Sequence, residues 1–196
     1  MAPAIGRGLQ VRFGISFAPH AARAGGLLAY LLLSASICLG LLMSGKAHLK
    51  RWPKFALEDV HRFLGILAGV FILIHGTALL LDSFVPFSLS QLLVPGASSY
   101  RPLAVGVGVV AAELLAALAI SNHYRRRIPH GVWRRLHMLN FAVWALALVH
   151  GLTAGTDATT TWALTLYVGS AWSVLTLFIY RVSLSWESMQ TSERST

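Results

Sequence analysis

Five blocks of about twenty mostly apolar residues, separated by short polar or basic loops, constrain this chain more than any other feature. A helix of this length crosses the hydrocarbon core of a bilayer. In agreement, 56% of the 196 residues are apolar and only 12% are charged, unlike an ordinary soluble domain. The sequence therefore predicts an all-α integral membrane protein, a bundle of about five transmembrane helices. The predicted spans are 25–44, 60–81, 102–121, 136–154 and 161–180.

Outside these spans, the sequence predicts shorter and less regular structure. Near the N-terminus, Leu9–Phe17 is expected either to lie on the membrane surface or to be disordered. The connection between the second and third spans is broken by proline and glycine, and a short helix is predicted at 89–94. The predicted domains are an N-terminal extension (1–23), the five-span domain (24–182) and a polar C-terminal tail expected to fray (183–196).

The positive charges divide the loops into two sets. The loops at 45–62, 122–135 and 181–196 hold 12 of the 16 Lys and Arg residues. The positive-inside rule places this set in the cytoplasm, so the N-terminus lies outside the cell (inner) membrane and the C-terminus inside. A cleaved signal peptide would reverse every later loop and is rejected. Because the net charge of +9 sits in these loops, it indicates lipid contact and topology, with no nucleic-acid partner.

Two of the spans carry two histidines each. The second has His61 and His75, and the fourth has His137 and His150. Ionisable side chains within a span are costly and indicate function. The spacings of 14 and 13 residues correspond to roughly 21 and 20 Å along a helix. The predicted topology gives both helices the same direction, so His61 should face His137 and His75 should face His150.

Helix geometry treats the two spacings differently. Fourteen residues bring the second side chain to within roughly 40° of the first, so His61 and His75 share a face. Thirteen residues give an offset of roughly 140° between His137 and His150. We therefore predict a bulge or an irregular turn in the fourth span, or side chains long enough to make up the difference.

Two stacked pairs of imidazoles in an apolar bundle favour haem. Neutral imidazoles on both sides of a porphyrin plane give six-coordinate iron suited to electron transfer. Zinc is less favoured, since two histidines at each level leave its coordination unfilled. Small residues beside the ligands either make room for a porphyrin or reflect close helix packing: Gly65, Ala68, Gly69, Gly76, Ala142, Ala145, Ala147 and Gly151. Arginines either bind haem carboxylates or set topology: Arg62, Arg134 and Arg135 at the inner level, and Arg101 at the outer level.

Other readings of these residues remain open at this point. Glu113 lies within the third span, either as a neutral structural carboxyl or as a proton acceptor for quinol oxidation. In a second interpretation, the histidines form a proton relay in a small transporter or channel, although the spans offer few other polar residues to line a path. A haem sensor or a structural subunit without turnover is a third reading. The single cysteine, Cys38, excludes a disulfide within the chain and CxxCH haem attachment.

The sequence also resembles a known family. The stretches HRFLGILAGVFILIH (61–75) and WRRLHMLNFAVWALALVH (133–150), with RPLAVGVG (101–108), are similar to the ferric reductase-like transmembrane domain family. That family includes the membrane parts of NADPH oxidases and ferric reductases and the bacterial haem subunit of periplasmic methionine sulfoxide reductase (MsrQ, formerly YedZ). The Arg-Pro entry of the third span resembles the MsrQ-like branch. The resemblance covers roughly residues 25–182.

The resemblance implies one or two haem b groups, ligated by the four histidines, and electron flow across the membrane. No GxGxxG or other nucleotide fingerprint appears, so we expect electrons from quinol or from a separate flavoprotein. The acceptor would be an extracytoplasmic reductase subunit or ferric iron. The branch is also linked with flavin mononucleotide, to which no residue here is assigned. The chain is thus expected to be an oxidoreductase-type electron-transfer subunit, with no catalytic residue named.

Overall fold

The structure is a computed structural model that describes residues 5–44 and 52–193. The described residues form helices and the turns between them, without a β-strand. The predicted loop residues 45–51, and the ends of the chain at 1–4 and 194–196, lie outside this description. The helices are α1 (Ile5–Ser44), α2 (Lys54–Leu80), α3 (Leu89–Leu93), α4 (Pro102–His123), α5 (His130–Met138), α6 (Asn140–Ala154) and α7 (Thr161–Glu193), with a short 3-10 turn at Arg125–Arg127.

The prediction of five spans is confirmed. Five helical segments of the described chain are long and apolar enough to cross a bilayer, and they correspond one by one to the predicted blocks. The segments are Phe17–Ser44, Lys54–Leu80, Pro102–His123, His130–Ala154 and Thr161–Leu184. The protein is therefore an all-helical membrane protein.

The ends of the chain are more helical than predicted. Helix α1 begins at Ile5 and runs without interruption through Pro19, so disorder at Leu9–Phe17 was the wrong alternative. Likewise, α7 continues to Glu193, where a frayed tail was expected. Both extensions continue a span whose backbone hydrogen bonds already exist, and helix propagation is far less costly than nucleation.

The fourth span contains the predicted irregular turn. Regular α-helix stops at Met138 and resumes at Asn140. At the break, the Leu139 amide donates to the Leu136 carbonyl three residues back, which is the tighter 3-10 pattern. The side-chain amide of Asn140 donates to the His137 carbonyl at 2.8 Å. This local change in winding lies between His137 and His150, where a regular helix would have aimed the two rings apart.

The connection between α2 and α4 packs against α4. The short helix α3 confirms the prediction at 89–94, and a capping box between Ser88 and Gln91 begins it. Gly96 then adopts a φ of +84°, a conformation that glycine accepts readily. A Cβ at Gly106 would stand 3.1 Å from the Gly96 nitrogen, so glycine at 106 lets this connection rest on α4.

The helices pack in two close pairs. Helix α1 lies along α2, and α4 lies along α6; α1 also contacts α6 and α7. In the described residues, α2 and α6 do not form a closely packed pair of their own. The spans bearing the histidines are the least buried, with 11% and 6% of their residues buried against 17–39% for the others. The main buried core joins α1, α2, α4, α6 and α7 through Leu33, Ile37, Leu41, Ala68, Leu118, Val143 and Val174.

A substitution at the irregular turn tests its contribution to stability. We expect Asn140→Ala to lower the free energy of unfolding by roughly 0.6–1.5 kcal/mol, because the His137 carbonyl loses its side-chain donor. Unfolding of the purified protein in detergent by heat or by SDS measures this change. Asn122→Ala, at an exposed position near the end of α4, is the matched control. Equal stability of the two variants would contradict the assignment.

Candidate functional site

The four span histidines meet in two pairs, as predicted. The ring centroids of His61 and His137 are 6.0 Å apart, with their planes inclined at 72°. Those of His75 and His150 are 6.3 Å apart, at 78°. Each pair joins α2 to the fourth span. The two helices thus face each other through their imidazoles while their backbones pack on other helices.

Three of the rings are oriented by backbone carbonyls of neighbouring helices. The Nδ1 atoms of His61, His75 and His150 lie 2.9, 2.6 and 2.8 Å from the carbonyl oxygens of Ser36, Ala22 and Ala104. A carbonyl oxygen only accepts, so Nδ1 carries the proton in each ring and Nε2 keeps its lone pair. This is the arrangement by which a second hydrogen bond orients a metal-ligating histidine.

The His61–His137 pair, called here the inner pair, has additional side-chain neighbours; the His75–His150 pair is the outer pair. The Ser36 hydroxyl lies 3.1 Å from Nδ1 of His61, and Ser36 is buried. The Asn140 side-chain nitrogen is 3.5 Å from Nδ1 of His137, at the limit of hydrogen bonding. His137 also stacks on the indole of Trp133, with centroids 5.2 Å apart. The inner and outer pairs therefore differ in their surroundings.

Glycines on the facing helices leave room for the rings. A Cβ at Gly26 would lie 3.1 Å from the His75 ring, and one at Gly40 would lie 3.3 Å from the His61 ring. A Cβ at Gly108 would lie only 2.5 Å from His150. Neither these three glycines nor the carbonyl partners were predicted from the sequence. The only signal for them was glycine within the first span and in the RPLAVGVG segment.

The small residues predicted beside the ligands divide into two groups. A Cβ at Gly65, Gly69 or Gly76 would meet nothing within 4 Å, so this face of α2 is open. Others are explained by packing: Ala68 is in the core, and Ala147 lies against it. At Gly151, a Cβ would clash with the Tyr167 hydroxyl, at 2.6 Å. Ala142 and Ala145 are exposed on the surface of the fourth span.

Three of the predicted arginines are close to a paired histidine in sequence, and the fourth, Arg101, contacts the end of α6. Arg62, Arg134 and Arg135 are exposed, each within three residues of His61 or His137 in sequence. Arg101 begins α4 with a left-handed φ of 41°, and its guanidinium donates to the Thr153 carbonyl at the end of α6 at 2.8 Å. Left-handed backbone is uncommon in a residue with a Cβ. Arg101 is thereby fixed near the helix end that carries His150.

The remaining polar candidates have local roles or face outward. Glu113 is exposed on the surface of α4. The Trp144 indole donates to the Ser34 hydroxyl at 3.0 Å, which ties α6 to α1. Asp157 pairs with Arg23 at 3.2 Å. This contact puts Arg23 beside the α6–α7 loop, the side to which the predicted topology assigns both.

The donor set favours a cofactor that needs few protein ligands. In the described part of the chain, no three His, Cys, Asp or Glu side chains gather around a point, so each level offers two imidazoles. A metal–imidazole nitrogen bond is about 2 Å long, so two imidazoles on opposite sides of one metal have ring centroids roughly 6 Å apart. The observed 6.0 and 6.3 Å fit this arrangement.

Fold and site together define a helical membrane protein with two levels of paired histidines between its second and fourth spans. The family model described as "Ferric reductase like transmembrane component" matches residues 25–149, well over half of the chain. The chain belongs to this family, which indicates a role in membrane electron transfer. No curated protein and no solved structure shows detectable similarity to it.

Proposed function

We propose that this protein binds haem b at two levels and passes electrons across the cell (inner) membrane as a subunit of the MsrQ-like kind. His61 and His137 would hold one haem, and His75 and His150 the other. The observation that carries the proposal is the double pairing at distances that suit two imidazoles on one metal. The Arg-Pro entry of α4 favours the MsrQ-like branch within the family.

The chain itself supplies ligation, orientation and a low dielectric. Haem iron with two imidazole ligands supplies one-electron chemistry when it is bound. The Nδ1–carbonyl hydrogen bonds present Nε2 for ligation and hold the rings in place. The open face of α2 at Gly65 and Gly69, between His61 and His75, offers space for a flat macrocycle. Arg62, Arg134, Arg135 and Arg101 are the candidate partners for its carboxylates.

Donor, acceptor and direction complete the proposal. Electrons would enter from quinol or from a separate flavoprotein and leave to an extracytoplasmic reductase subunit or to ferric iron. The basic loops, including Arg125–Arg127, support a cytoplasmic position for the inner level, because the positive-inside rule favours basic loops on that side. The N-terminus would then lie outside and the C-terminus in the cytoplasm. Neither flavin mononucleotide nor a bound quinone has an assigned residue.

Spectroscopy of the purified full chain tests the proposal. We expect a coloured protein with about two haems per chain, whose dithionite-reduced spectrum is that of low-spin b-type haem. In liposomes that enclose ferricyanide, external dithionite, an anion that crosses bilayers poorly, should reduce the enclosed ferricyanide much faster when the haem-loaded protein is present than when it is absent. A chain produced with ample haem that remains colourless would overturn the proposal.

A further inference from the structure

The indole of Trp133 occupies a distinctive place beside the inner histidine pair. Trp133 lies on α5, one helical turn before His137, and its ring stacks on the His137 imidazole with an interplanar angle of 23°. The ring of His130, three residues before Trp133, also lies near the indole, with the two ring centroids 5.8 Å apart. Trp133 is therefore held in one orientation, with its polar edge fixed relative to the ligand pair.

The polar edge of this indole lacks a partner within the protein. Its Nε1 is buried, and of the buried side-chain nitrogens and oxygens in the described chain it alone has no hydrogen-bond partner. A buried donor left unsatisfied costs about 1–3 kcal/mol. Trp144 provides the contrast, since its N–H reaches the Ser34 hydroxyl. The arrangement at Trp133 is thus unfavourable unless an acceptor comes from outside the chain.

The charges nearby indicate what kind of acceptor fits. Arg134 and Arg135 directly follow Trp133, and Arg62 directly follows His61, the partner of His137. Glu58 and Asp59 precede His61 on α2, but among the described residues neither carboxylate forms an ion pair with these three arginines, which outnumber them. A cationic setting with one orphaned donor suits an anionic oxygen, and hydrogen bonds to charged groups are about twice as strong as neutral ones.

We propose that Trp133 Nε1 donates to a carboxylate of the ligand that His61 and His137 hold. Trp133 then does two things: it stacks on a ligating imidazole and fixes the edge of the ligand beside it. The inference rests on the proposed function, because the carboxylate belongs to the haem. The proposal gives Trp133 a contact with the ligand that a tryptophan placed only at the membrane interface would not need.

Haem titration of the full chain, produced without haem supply and purified in a maltoside detergent, tests this inference. Trp133→Phe keeps an aromatic ring for stacking and removes the N–H. We expect it to weaken haem binding at the inner site by on the order of tenfold, which is about 1.4 kcal/mol. Trp133→Phe should weaken the binding of haem dimethyl ester much less than it weakens the binding of haem, because the ester has no carboxylate to accept from the indole. Trp172→Phe, an exposed residue of α7, is the matched control and should bind as the wild type does.

A second measurement needs no variant. With ¹⁵N-labelled indole, the Trp133 N–H resonance should shift downfield when haem is added, as it gains an acceptor. Equal affinities of Trp133→Phe and the wild type, or an unshifted resonance, would overturn the inference. A shift produced by added phospholipid before haem would assign the acceptor to a lipid oxygen and also overturn it. A wild-type chain that takes up no haem would instead reject the proposed function.

Discussion

His75→Ala is expected to halve the haem content of the purified protein and to leave the low-spin spectrum of the other haem intact. The outer ring pairs with His150 and donates to the Ala22 carbonyl, and neither contact involves the inner pair. Without the His75 imidazole, His150 is the only histidine left at this level, so the outer haem is lost. Haem content by the pyridine haemochrome method and the reduced absorption spectrum measure the effect.

Combinations of substitutions make this prediction sharper. His75→Ala with His150→Ala should lose no more haem than either change alone, because both remove the same site. His75→Ala with His61→Ala should lose both haems, because the changes fall on different pairs. His123→Ala, at an exposed position at the end of α4, is the control and should keep both. A pattern in which His75→Ala behaves additively with His150→Ala would contradict the pairing.

Gly108→Ala is expected to abolish or strongly weaken haem binding at the outer level alone. The new methyl group would lie 2.5 Å from Cε1 and Nδ1 of His150, whereas comfortable contacts between carbon atoms are about 3.5–4.0 Å. The ring must turn away, and it then loses its hydrogen bond to the Ala104 carbonyl. Overpacking of this kind also destabilises a fold by about 1–3 kcal/mol.

The control for this substitution is another helical glycine. A Cβ at Gly169 would meet nothing within 4 Å, so Gly169→Ala should keep both haems. Its stability should be unchanged or higher by up to about 1 kcal/mol, since alanine favours helix over glycine. Thermal unfolding in detergent and haem content are measured on both variants. Full haem content in Gly108→Ala would show that His150 has another position available.

Much of the architecture follows from local properties of the sequence. Apolar length alone predicts the spans, because a bilayer accepts little else. The unequal spacing of His61–His75 and His137–His150 even predicts the irregular turn, which the structure places at Leu139. The pairing of the rings follows from equal depth and parallel direction. These inferences need only helix geometry and the position of charges.

The surroundings of the rings did not follow from the sequence. The carbonyls of Ala22, Ser36 and Ala104 are ordinary backbone atoms, and only the register between neighbouring helices decides which of them a histidine meets. The same holds for Gly151, for which the sequence left room for a porphyrin and close helix packing as alternatives; the structure shows packing against Tyr167. The register between neighbouring helices cannot be predicted from side-chain composition. For Leu9–Phe17 the sequence did not decide between a surface segment and disorder, because its composition is compatible with both, and the structure shows helix there.

The division of the bundle into two close helix pairs has a consequence for biogenesis. Helix α1 supplies the carbonyls that aim both imidazoles of α2, and α4 supplies the one that aims His150 on α6. Three of the four histidines are thus oriented by a helix of their own pair, and His137 is the exception. Under the proposed function, haem would be loaded after insertion by the translocon, as a late maturation step. Separately expressed halves, split in the α2–α4 connection, would then be able to reassemble around the prosthetic group.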